Sequence, residues 1–232
     1  LQKSDNMHTI SFCAMLACPL AYMILLSTYV SANTAPHHVN MFRAAQNGNV
    51  GKLREEIERR PEMVNLKGSR GFTSLHWAAI RGKTKAVNLL LKHGADITIT
   101  NTRGSTPILL ASWKGHFEVV LQLLAAAGSE KSYLNIANDG GQTALNWAIR
   151  QGHSKIAALL LFAGADKTIQ SGTLDAVGWA TALNRDDLLP LLNGEEITSK
   201  DITDALAAEK RKLELLRKVS VKPSARRREN EL

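Results

Sequence analysis

The stretch "GFTSLHWAAIRGKTKAVNLLLKHGAD", Gly71 to Asp96, recurs in altered form as "GSTPILLASWKGHFEVVLQLLAAAG" from Gly104 and as "GQTALNWAIRQGHSKIAALLLFAGAD" from Gly141. Thr73, Thr106 and Thr143 therefore lie 33 and then 37 residues apart. Self-similarity at such a period marks stacked supersecondary units, none of which buries its apolar face alone. Within a unit, Thr73 or Thr106 precedes a short apolar helix and is placed to cap it, since a threonine hydroxyl accepts from unpaired N–H groups of the first turn. Thr143 holds the same place, and Pro107 stands one position after Thr106, where a missing N–H does no harm. The second helix of the middle unit, "FEVVLQLLAAAG", is apolar at helical spacing, and Gly94, Gly128 and Gly164 fall where left-handed C-caps end such helices. The order is helix, tight turn at Gly82, Gly115 or Gly152, helix, glycine stop, extended connector.

The residues "TSLHWAA", "LLLKHGAD", "TALNWAI" and "LLLFAGAD" resemble the ankyrin-repeat family. The resemblance is strong over Gly71 to Ala165 and degenerate on either side, with Asn47-Gly48 in the turn place of a first repeat and a last repeat aligning through Trp179. It implies an all-α solenoid of about five helix-turn-helix repeats over residues 37–194, closed by a C-terminal capping helix. The third repeat departs by about four extra residues, "SEKSYL", where a longer loop is expected.

Catalytic patterns are missing. No nucleophile elbow, phosphate loop or HExxH sequence occurs. His76 occupies the family's Thr-x-x-His place, which implies a structural role tying neighbouring loops by hydrogen bonds; Leu109 and Asn146 take that place in the later units. His93, His116 and His153 sit at turns, and the adjacent His37 and His38 would need further ligands for a metal. The carboxylates of "REEIERR" and "NRDDLL" read as solvated helix faces. The expectation is a noncatalytic module with no cofactor and no small-molecule substrate.

Trp77, Trp147 and Trp179 share one register, with Leu110 in the fourth place, and are expected to pack in the core. Trp113 falls three residues later beside Lys114, a place that the resemblance puts on the concave binding surface, where it is either a partner anchor or partly buried. By the same carry-over the connector tips include Ser69, Arg70, Phe72, Thr102, Arg103, Ser105, Asp139 and Gln142. The exposed ends of the first helices add Ile80, Arg81, Lys114, Arg150 and Gln151. From these, Arg70, Phe72, Ile80, Arg81, Arg103, Trp113, Lys114, Arg150 and Gln151 form the expected partner-binding set. Residues 33–194 hold 18 Lys and Arg against 12 Asp and Glu, an excess that favours an acidic protein surface as partner, or that serves only solubility.

The flanks differ in composition. Unless they form a buried first helix of the soluble domain, residues 10–30, "ISFCAMLACPLAYMILLSTYV", read either as a cleaved secretory leader within residues 1–32 or as an uncleaved anchor long enough to span a bilayer. Both readings imply export, with the periplasm of a bacterium as the expected location. Implied uses there are support of a periplasmic enzyme or neutralisation of a toxin; the alternative is a tethered or secreted effector acting on host proteins. Membrane contact is expected only through this segment. Both cysteines, Cys13 and Cys18, lie within it, so the repeats hold no disulfide or thiolate metal site. Residues 195–219 place Ile202, Leu206, Leu213, Leu216 and Val219 on one helical stripe, either capping the last repeat or offering a helix to a partner. Residues 220–232 are polar and basic, as disordered tails are. Nine basic and three acidic residues over 210–232 are not interleaved with aromatics, which argues against nucleic acid.

Overall fold

The computed structural model describes residues 40–127 and 132–193, together with Arg211. The chain divides into two units, Leu1–Asn40 and Met41–Leu232, and the repeats lie in the second. Arg211 aside, the expectations for residues 1–39, His37 and His38 included, for Gly128 and residues 129–131, and for everything from Gly194 onward fall outside the described residues. Among the described residues no helix is long and apolar enough to cross a membrane.

Over the described residues 40–193, ten α-helices form five helix-turn-helix pairs. They are α1 (40–47) with α2 (Val50–Arg59), α3 (Ser74–Ile80) with α4 (Thr84–Lys92), and α5 (Pro107–Lys114) with α6 (Phe117–Ala126). The last two pairs are α7 (Ala144–Arg150) with α8 (Ser154–Ala163), and α9 (Ala176–Ala182) with α10 (Leu189–Asn193). No strand occurs among the described residues beyond an isolated bridge between Ser171 and Leu174. The architecture is an all-α solenoid of five repeats.

Helices of 7–10 residues are marginal alone in water, so stacking must hold them. First helices pack on first helices (α3 on α5, α5 on α7, α7 on α9) and second helices on second helices (α2 on α4, α4 on α6, α6 on α8). Leu75, Ile108 and Leu145 from the first row meet Leu90, Leu124 and Leu160 from the second in one apolar core that runs from Met41 to Leu192.

Thr73 and Thr143 cap their helices, accepting from the N–H groups of His76 and Asn146 at 3.4 and 3.3 Å. Thr106 does not: its hydroxyl is buried and makes no cap hydrogen bond. Leu109, which stands where His76 does, brings no side-chain acceptor to which that hydroxyl could donate. Asp175 caps α9 through the N–H of Gly178 at 2.8 Å.

Each helix pair turns through a residue of positive φ: Gly48, Gly82, Gly115, Gly152 and, last, Asn184. The turn glycines are also covered. A Cβ on Gly82 would meet the His116 ring at 2.5 Å, one on Gly115 the His153 ring at 2.6 Å, and one on Gly152 the Arg185 guanidinium at 2.5 Å. Lys83 lies over Gly48 in the same way. Lys83, His116 and His153 stand at the N-cap of the second helix of the following repeat, and Arg185 lies in the turn before α10, so the turns interlock along the stack.

The connectors form paired fingers. Thr102 donates its N–H to the Arg70 carbonyl at 3.0 Å, and Asp139 donates its N–H to the Arg103 carbonyl at 3.0 Å. The second contact shows that the third repeat's extra residues leave the next finger in register. Part of that insertion is structured: Ser132–Asn135 make a 3-10 turn whose Tyr133 and Leu134 are buried. Asn135 then accepts from the Asp166 N–H at 2.9 Å, as Asn65 accepts from that of Asp96 at 2.8 Å.

Candidate partner-binding face

His76 joins two fingers from beneath. It is fully buried, and its Nδ1 accepts from the Thr73 N–H at 3.2 Å and the Thr73 hydroxyl at 2.8 Å. Nε2 must then carry the proton, which it donates to the Ser105 carbonyl at 3.0 Å in the next repeat. Burial, reinforced by the charge of Lys67, pushes this imidazole from its ordinary value near 6.5 down to about 4, so it is neutral where it works. Asn146 makes the corresponding link by donating to the Ile169 carbonyl at 3.3 Å. Ser105 is itself buried, so it is no exposed tip; its carbonyl is already taken by His76.

The fingers and first helices carry the expected partner-binding residues. Arg70 and Arg103 are exposed at finger tips, with Arg70 in left-handed backbone (φ 57°). Phe72 is half-buried, its ring 4.8 Å from that of Trp77. Arg81 and Gln151 are exposed at the ends of α3 and α7. Ile80 is half-buried and its carbonyl accepts from His116 Nε2 at 3.1 Å.

The tryptophans differ from the core expectation. Trp77, Trp147 and Trp179 are only half-buried, whereas Leu110 in the same register is buried. Trp147 and Trp179 pack against the core on one side and meet the surface residues on the other. Trp113, half-buried, sits 5.7 Å from the Trp147 ring, with the Lys114 ammonium 3.7 Å above it. Arg150 lies over both Trp147 and Trp179, at 5.1 and 4.4 Å. The surface role of Trp147 was readable in principle, because Trp147 and Arg150 stand three apart on one helix and residues so spaced share a face.

The cations of this face lack carboxylate partners among the described residues. An ion pair on α2 joins Arg59 to Glu56 at 3.5 Å. No carboxylate among the described residues pairs with Arg70, Arg81, Arg103, Lys114 or Arg150. On the second-helix side, a shallow groove of about 320 Å³ is lined by Arg54, Lys85 and Lys92 around Val50 and Leu89, without an aromatic residue. No three metal-ligating side chains converge among the described residues.

A sequence model of ankyrin repeats (three copies) matches residues 41–135 and 99–171, more than half of the chain. The chain belongs to the ankyrin-repeat family. It is 34% identical over 102 residues to the Notch-regulated ankyrin repeat-containing protein of Xenopus laevis, covering 42% of this chain and 90% of that protein. It is 36% identical over 121 residues to a probable E3 ubiquitin-protein ligase of Oryza sativa subsp. japonica, covering 51% of this chain and 23% of the ligase. A palmitoyltransferase of Lachancea kluyveri is 31% identical over 141 residues, 59% of this chain and 19% of the enzyme. The chain thus spans about a fifth to a quarter of the length of these two enzymes. These three relatives are eukaryotic proteins and lend no support to the expected bacterial type. Ankyrin repeats are a noncatalytic protein-interaction module.

Proposed function

We propose that this chain binds a partner protein of acidic surface through its finger and first-helix face, with no catalytic step of its own. The observation that carries the reading is the set of five cations, Arg70, Arg81, Arg103, Lys114 and Arg150, which have no carboxylate partner among the described residues, two of them, Lys114 and Arg150, lying over half-buried tryptophan rings. Unpaired charge of one sign steers an oppositely charged partner, and aromatic anchors supply the short-range affinity. Trp113, Arg81 and Arg103 are the proposed anchors. Their replacement together by alanine should abolish partner capture in cross-linking pull-downs while leaving the melting temperature within a few degrees. Unchanged capture, or capture lost only together with the fold, refutes the proposal.

The exported location rests on residues 10–30 alone. Cleavage before Asn33 in a secreted fraction, read by intact mass, supports a leader; a full-length membrane species supports an anchor and with it the tethered-effector alternative. A full-length soluble species inside the cell overturns both.

A further inference from the structure

Arg150 is prepared for a narrower task than general attraction. Its guanidinium carbon lies 4.4 Å from the Trp179 ring centre and 5.1 Å from that of Trp147. Trp179 is fixed by its indole N–H, which donates to the Ser171 carbonyl at 3.2 Å. Trp147 is braced by Trp113, and Lys114 covers the ring of Trp113. Side chains from three successive repeats thus form one run of cation, ring, ring, cation, ring.

A guanidinium stacked on rings uses its flat faces for them and keeps its N–H edges free, and those edges match the two oxygens of a carboxylate. Stacking also restricts a long side chain before any partner arrives, so less freedom is lost on binding. No described carboxylate takes those edges. Three indoles on one face invite the opposite reading, a cage for a ligand cation. That use is pre-empted, because Lys114 and Arg150 already lie over the rings.

Spacing sharpens the partner's chemistry. Arg81, Lys114 and Arg150 supply one cation per repeat from α3, α5 and α7, at or next to the helix end. Packed helices sit about 8–10 Å apart, which is about one three-residue turn of an extended polyproline-II segment, the conformation that returns every third side chain to the same face. We infer that Arg150, held between Trp147 and Trp179, reads a single aspartate or glutamate of an extended partner segment whose acidic residues recur every third position, with Lys114 and Arg81 taking the next two. This inference rests on the binding role proposed above.

The test uses the whole chain and three fluorescein-labelled 12-residue peptides, read by fluorescence anisotropy. One carries Glu at every third position among Ser and Ala, one has Gln in those places, and one gathers the same Glu residues at one end. The regularly spaced Glu peptide should bind at least tenfold more tightly than either control. R150K keeps the charge but loses the planar fork, and should weaken that peptide by about tenfold, the worth of a charge-assisted hydrogen-bond pair. R150Q, with circular dichroism on both variants, guards against a folding defect. Equal binding of the Glu and Gln peptides, including no binding of either, overturns the inference. So does an R150K variant that binds like the parent, or a phosphoserine peptide that binds where the Glu peptide does not. If R150K is silent while the alanine variant at Trp113, Arg81 and Arg103 loses partner capture, this inference fails and the binding role stands; if both are silent, both fail.

Discussion

His76 offers a test in which acid, rather than denaturant, probes the link between two repeats. Its imidazole is held near 4 in the folded chain, against 6.5 when exposed. A histidine with a lowered folded value is stabilising above 6.5, where both states are neutral, and that stability is lost as pH falls through about 4, because the unfolded chain takes up the proton first. From those two values, the loss relative to neutral pH is about 2 kcal/mol at pH 5 and about 3 kcal/mol at pH 4. The perturbation is His76→Asn, since Asn146 shows that an asparagine at this place still reaches the next repeat. At pH 7.5 the variant should be less stable by about 1–2 kcal/mol, the worth of the reciprocal cap between Thr73 and His76. Urea unfolding followed by tryptophan fluorescence at pH 7.5, 6, 5 and 4.5 measures the gap. Contributions from sites far from His76 are common to both proteins and cancel in the difference. The gap should close by about 2 kcal/mol between pH 7.5 and 5, leaving the variant equal to or above the parent. A gap that stays constant over that range refutes the assignment of a neutral, desolvated His76.

Three further outcomes follow from the packing. Gly82→Ala must adopt φ +64° and push aside the His116 ring, whereas Gly94→Ala meets φ +79° with open space around it. The second should lose about 1 kcal/mol and the first at least twice that, as measured by urea midpoints; equal losses would refute the interlocking turns. Trp147 Nε1 is buried without an acceptor among the described residues, while Trp179 Nε1 donates to Ser171. Trp147→Phe should therefore be less damaging than Trp179→Phe by about 1 kcal/mol in the same assay. Partner capture should weaken steeply between 50 and 500 mM salt, because the surface cations are screened within about 10 Å at 0.1 M; a salt-independent Kd would count against charge steering.

The repeats, their turns and the two working threonine caps are legible in the chain because each depends on residues a few positions apart. Gly82 needs only its own positive φ to be recognised as a turn, and Leu75 or Leu90 only a helical period. What stays hidden depends on the neighbouring repeat. Ser105 looks like any polar tip, yet His76 from the preceding unit buries it and takes its carbonyl. Trp147 and Trp179 have the composition of a core, and only the placement of Arg150 and Trp113 beside them shows that one side of each ring meets the surface residues. The insertion in the third repeat reads as loop because its length breaks the period, while Tyr133 and Leu134 are pulled into the core once the helices stack. Asn184 escapes notice for a similar reason, standing where every earlier unit has glycine.

That last substitution shows how the glycines are used. A turn followed by another unit must satisfy two demands at once: a left-handed backbone, and bare space for the ring or guanidinium that arrives from the next unit. Asn184 meets the first demand, which asparagine tolerates, and among the described residues no sixth unit follows it. Glycine in this chain therefore acts as a joining mark, written wherever growth of the array continues. Inserting a copied unit after α10 would call for Asn184→Gly, whereas one inserted between existing units would find its seam already prepared.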